Sequence, residues 1–96
     1  FNYPNPFSTN TSIYFGQNQP YETLEVLVSI FTVSGKLVKT LERTMTCDGY
    51  LSTPIEWNGR DEYDDKLAKG VYIYKIRVRN SAGTVVEKFE KLVILN

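Results

Sequence analysis

The chain has 96 residues, 42% hydrophobic and 23% charged, enough for one globular domain with its own core and too apolar for disorder. Eleven basic residues balance eleven acidic ones, so no nucleic-acid partner is indicated, and no apolar run nears the roughly 20 residues of a membrane-spanning helix. The absence of histidine and the single cysteine, Cys47, exclude a His-based catalytic dyad, a His-ligated metal and an internal disulfide.

The chain opens at Phe1-Asn2-Tyr3-Pro4 without an initiating Met and reads as a piece, residues 1–96 forming a single C-terminal domain excised from a larger protein. Pro4 and Pro6 remove two backbone donors, so Tyr3 to Phe7 is an extended lead-in and not a central strand, with Tyr3 and Phe7 free to pack on the body. Thr11 to Phe15 predicts a short strand, and Gly16 to Pro20 a polar turn. Glu25 to Thr32 predicts a strand with apolar residues on both faces, which places it centrally. In Thr32-Val33-Ser34-Gly35-Lys36 the glycine fits the left-handed position of a type I turn with a glycine bulge. Leu37 to Arg43 then returns antiparallel.

Met45 to Leu51 predicts a linking loop, and Ser52 to Trp57 a strand that Pro54 confines to an edge or a bulge. Asn58 to Lys69 is a polar connection. In Val71 to Arg79, Tyr72, Tyr74, Ile76 and Val78 alternate with Ile73, Lys75, Arg77 and Arg79, giving a core face and a solvent face. Lys75, Arg77 and Arg79 are read as a solvent stripe neutralised by Glu87 and Glu90. Asn80 to Gly83 predicts a second tight turn, and Thr84 to Leu95 the last strand. Pairing Asn80 with Thr84 sets Val78 against Val86 and Arg77 against Glu87. It also sets Lys88 against Ile76, which predicts a bulge near Lys88. The fold class is therefore all-β: an immunoglobulin-like antiparallel sandwich of about seven strands.

Candidate chemistry is sparse. Asp61-Glu62-Tyr63-Asp64-Asp65 lacks the spaced ligands of a calcium loop and reads as a solvated turn. Asp61 and Glu62 as hydrolytic carboxylates would need burial and a fixed separation that such a loop does not supply. Trp57 reads as the cover of one end of the core. Cys47 has no activating neighbour. No cofactor or metal is called for, and the chain itself reads as non-enzymatic. The apolar terminal segment, Lys91-Leu92-Val93-Ile94-Leu95-Asn96, is either the final core strand or an edge open to a partner.

Four pieces carry a resemblance when taken in order: Tyr3-Pro4-Asn5-Pro6-Phe7, Val28 to Val38 with Ser34-Gly35-Lys36 at its turn, Trp57-Asn58-Gly59-Arg60-Asp61, and Leu67-Ala68-Lys69-Gly70-Val71-Tyr72-Ile73-Tyr74. Together they resemble the C-terminal sorting domains of the bacterial type IX secretion system, across essentially the whole chain. The stretch from Trp57 to Tyr72 also resembles the immunoglobulin-like part of flagellar hook-capping proteins, which leaves a structural or adhesive role as the alternative. Within the sorting family the full tryptophan motif and the non-basic ending Val93-Ile94-Leu95-Asn96 are most similar to the domain of the system's own sortase. Asp64-Asp65 departs from the Gly or Asn common at that turn.

The resemblance implies a seven-stranded sandwich exported through the periplasm and recognised after crossing the outer membrane, with the type IX translocon among its partners. Cargo domains of this kind are removed by the sortase. The sortase's version resembles a retained domain that docks its cysteine protease on an outer-membrane β-barrel shuttle protein, PorV, at the cell surface. The residues matched to partner binding are Gly35, Lys36, Gly70, Tyr72, Lys91, Leu92, Val93, Ile94, Leu95 and Asn96, and a strand-swapped dimer is a further expectation.

Overall fold

Apolar side chains on both faces of one segment favour a central place in a sheet, and the segment from Thr23 takes it, with its Val26, Val28 and Ile30 face buried and Leu27 and Phe31 on the other face half-buried. The computed structural model describes residues 1–16, 22–46 and 48–95; all but Gly16 of the turn expected over Gly16 to Pro20, together with Cys47 and Asn96, lies outside the described residues. Seven strands and no helix occur among them: β1 (Asn2–Tyr3), β2 (Thr11–Ile13), β3 (Thr23–Thr32), β4 (Leu37–Thr46), β5 (Ile55–Trp57), β6 (Gly70–Arg79) and β7 (Val85–Ile94). Strand β3 sits between β4 and β6 in a four-stranded sheet ordered β4-β3-β6-β7, and a three-stranded sheet ordered β1-β2-β5 covers it. Every named pairing is antiparallel. The immunoglobulin-like sandwich expected from the strand pattern is what forms.

The core lies between the sheets. Val26, Val28 and Ile30 of β3 and Tyr72, Tyr74 and Ile76 of β6 meet Ile13, Ile55 and Trp57 from the small sheet, all buried. Each buried aliphatic or aromatic side chain contributes about 1.5–3 kcal/mol relative to exposure. Trp57 covers one end as expected, its ring T-shaped against Phe7 at 5.7 Å between centroids and its indole N–H donating to the Arg60 carbonyl at 3.0 Å.

Four expectations change. β4 runs through Thr46, so the linking loop expected from Met45 begins only after Thr46. Tyr3 is exposed, and it is Asn2 that turns inward, donating through Nδ2 to Thr11 Oγ1 at 3.3 Å. Glu90 faces away from the basic stripe and pairs with Lys88 at 3.1 Å, while Lys75 pairs with Glu87 and Arg79 with Glu25. No bulge forms near Lys88, because the β6–β7 register runs unbroken from Gly70–Ile94 to Arg79–Val85 with Ile76 opposite Lys88. The small sheet explains the last point: its strands are too short to cover that half of β7. A cleft of about 560 Å³ opens there instead, lined by Phe15, Leu24, Ile76, Val86 and Lys88 among others, so Lys88 reaches water without a kink.

Candidate functional site

The residues matched to partner binding converge on one end of the four-stranded sheet. Register pairs Phe31 with Leu37, Thr32 with Tyr72, Tyr72 with Leu92 and Gly70 with Ile94. The β3–β4 turn carrying Gly35 and Lys36, the start of β6 and the end of β7 are therefore neighbours, although up to 60 positions separate them in the chain.

The β3–β4 turn has the geometry its sequence asks for. Gly35 N donates to Thr32 O at 2.9 Å, Thr32 N donates to Lys36 O at 2.9 Å, and Gly35 takes φ +95°. A Cβ added there would meet nothing within 4 Å. The requirement for glycine is thus conformational and not steric. Gly35 shapes the turn, and Lys36 beside it is exposed.

Tyr72, Leu92 and Ile94 point into the core and are buried. The Tyr72 hydroxyl donates to the Ala68 carbonyl at 2.8 Å, and burial pushes its pKa up. These three side chains hold the end of the sheet together from within. Gly35, Lys36, Lys91 and Leu95 face water, Gly70 and Val93 are half-buried, and Asn96 lies outside the described residues.

Of the two readings of the terminal segment, the final core strand is the one that forms, with Leu92 and Ile94 buried, and its outer edge is closed over residues 91–95. Asn5 and Phe7 lie along it: Asn5 Nδ2 donates to Lys91 O at 3.2 Å, Val93 N donates to Asn5 Oδ1 at 3.0 Å, Phe7 N donates to Val93 O at 3.1 Å and Leu95 N to Phe7 O at 2.6 Å. The prolines that keep this lead-in out of a central strand leave it able to cap an edge. The alternation of Pro with Asn5 and Phe7 was the available signal. Deleting residues 91–96 would remove two core side chains and the seat of Phe7, so it disrupts the sandwich as well as any surface.

The acidic loop is structural. Asp61 Oδ1 accepts from Tyr63 N and Asp65 N at 2.9 and 3.0 Å. Glu62 Oε1 accepts from the Thr40 amide at 2.6 Å and its hydroxyl at 3.0 Å. The Thr40 amide, then its hydroxyl, holds the Glu62 carboxyl below the usual range. The loop thereby caps the free edge of β4 at Val38 and Thr40, and no acidic cluster suited to a metal ion occurs among the described residues.

Two facing antiparallel sheets define an immunoglobulin-like β-sandwich, one end of which is of mixed apolar and basic character. The structure of CopC from Methylosinus trichosporium OB3b shares the fold (TM-score 0.56, 21% identity, covering 94% of this chain and 82% of that one). The chain belongs to the family described as the secretion system C-terminal sorting domain, which it matches over residues 2–94. It is also similar to dimeric latent PorU from Porphyromonas gingivalis, with a TM-score of 0.84 and 26% identity. That match covers 99% of this chain and 9% of PorU, so the chain spans a small part of its relative. No curated protein matches by sequence. Family membership gives the chain a role in targeting for secretion, and with it export towards the cell surface or outer membrane.

Proposed function

We propose that this chain is the C-terminal, non-catalytic domain of a larger sortase-like protein, which it carries through the type IX system and then holds at the outer membrane by docking on a β-barrel shuttle protein. The observation that carries the reading is the family match over residues 2–94 together with a PorU likeness covering 99% of the chain. The docking surface is the sheet end built by the β3–β4 turn, the start of β6 and the end of β7. Val33, Leu37, Val71 and Leu95 are exposed there, at 67, 50, 43 and 48%, beside Lys36 and Lys91. Apolar residues ringed by a few charges are the composition of a recognition patch.

The test is capture of the detergent-solubilised shuttle by the purified chain, comparing wild type with a Lys36→Glu/Leu95→Asp double variant. Both positions are exposed, so the variant is expected to fold and to bind at least roughly tenfold more weakly, the loss of a charged contact and an apolar anchor. Tyr50→Ser, at an exposed site elsewhere, is expected to bind as wild type. Equal capture by the folded double variant would sink this surface. Failure of the folded wild type to bind would sink docking on the shuttle.

A further inference from the structure

The Asn5–Phe7 lead-in covers only one half of the outer edge of β7. The amide of Val93 donates to Asn5 Oδ1 and its carbonyl accepts from Phe7 N, so both point away from β6. The ladder is unbroken from Ile94 to Val85. Alternation therefore turns the amides and carbonyls of Phe89, Glu87 and Val85 to the same outer side. No hydrogen bond from the described residues reaches them there. Phe89 is 65% exposed on this edge. An uncovered edge carrying an apolar side chain is a template for a further strand.

The sequence of that edge specifies which strand. Glu87-Lys88-Phe89-Glu90-Lys91 inverts every charge when read backwards about Phe89. An antiparallel pair of identical strands meets in that reversed order. With Phe89 on the two-fold axis, Glu87 faces Lys91 of the second copy, Lys88 faces its Glu90, and Phe89 faces Phe89. Moving the axis to Lys88, Glu87 or Glu90 sets that residue against its own charge, which is destabilising. Phe89 also has the correct parity, because its amide and carbonyl face outward and exchange with those of its twin. The Lys91 carbonyl accepts one bond from Asn5 and keeps a second lone pair for the incoming Glu87 amide. Val93, already taken by Asn5 and Phe7, ends the pairing.

We infer that two copies of this chain associate edge to edge through residues 87–91 of β7, antiparallel and centred on Phe89, without exchange of a strand. The inference rests on the edge alone and stands whether or not the domain docks on a shuttle. Five residues on each side make an interface below the standard size, so the association belongs to the weak, transient class.

Sedimentation velocity on the 96-residue chain, from about 10 μM to about 1 mM, is the test in the range expected of such weak interfaces. The wild type is expected to shift from monomer towards dimer across it, less so at high salt. Glu87→Lys/Glu90→Lys and Lys88→Glu/Lys91→Glu are each expected to lose association by at least roughly tenfold through like-charge opposition, and their equimolar mixture to regain it. Amide exchange supplies a second reading, with protection of Glu87 and Phe89 rising with concentration. A wild type that stays monomeric throughout would overturn the inference. So would association of the separate variants at wild-type strength, failure of the folded variants to associate when mixed, or dimerisation that leaves the Phe89 amide unprotected.

Discussion

Phe7 lies parallel to Ile94, bonded to the backbone on either side of it: Phe7 N donates to Val93 O at 3.1 Å, and Leu95 N donates to Phe7 O at 2.6 Å. This bridge ties the beginning of the chain to its last strand, and the Asn5 side chain repeats the tie one step along. Asn5→Ala is expected to fold, to lose about 1 kcal/mol for two exposed hydrogen bonds, and to speed exchange of the Val93 amide. Phe7→Ala removes a core side chain as well and is expected to cost about 3–5 kcal/mol. Urea denaturation with amide exchange distinguishes the two; equal destabilisation would show that the edge bonds and the buried ring are not separable.

Asp64 occupies the place that glycine holds in two other turns. Gly35 and Gly83 have φ +95° and +86°, and Asp64 has +63°. The same bond pair closes each turn, Asp64 N to Asp61 O at 3.0 Å and Asp61 N to Asp65 O at 2.9 Å being the third instance. The left-handed conformation costs a side chain roughly 1–2 kcal/mol, less for Asp and Asn and most for β-branched residues. Asp64→Gly is therefore expected to be neutral to stabilising by up to ~1 kcal/mol, and Asp64→Val to destabilise by about 1–2 kcal/mol. The lost contact with Arg60, 4.0 Å long and exposed, adds little. Urea midpoints in the opposite order would show that the turn does not hold its left-handed residue.

Tyr74 is fully buried, and its hydroxyl has no hydrogen-bond partner among the described residues. Burial first, and the Glu90 charge second, push its pKa well up. Removing an unsatisfied buried hydroxyl relieves a desolvation cost of ~1–3 kcal/mol. Tyr74→Phe is expected to raise the melting temperature. A raised folded pKa makes a contribution that is complete below the ordinary tyrosine range and is lost as pH rises through it. The gain from Tyr74→Phe should accordingly widen at alkaline pH. A lower melting temperature in the variant would mean that the hydroxyl is satisfied.

Glu62 gives the acid-side counterpart. Its carboxyl titrates below the usual range because it accepts from Thr40. A depressed folded pKa contributes stability above the ordinary glutamate range, and that contribution fades as pH falls through the folded value. In an NMR titration the Thr40 amide is expected to shift with a midpoint below the usual glutamate range. A midpoint within or above that range would contradict the Thr40–Glu62 bond as the cause.

The fold was largely legible because its strands follow period-two patterning. Val26, Val28 and Ile30 and Tyr72, Tyr74 and Ile76 announce their buried faces, and glycine marks both hairpin turns. Lys88 breaks the alternation without a bulge because the core does not extend beneath it. How far the facing sheet reaches depends on long-range packing, which local alternation does not record. Of the residues singled out for partner binding, Tyr72, Leu92 and Ile94 belong to the interior of the sheet end and not to its surface. The cover over residues 91–95 comes from a segment more than 80 positions away in the chain, a distance at which neither period nor turn chemistry carries a signal.

The targeting role is tested most directly by fusing this chain to the C-terminus of a periplasmic reporter in a bacterium with a type IX system, and measuring surface exposure by protease accessibility in intact cells. The account predicts a surface-exposed reporter with the chain present, and retention in the periplasm when the translocon is deleted. Retention in the periplasm despite a folded domain and a working translocon would contradict it.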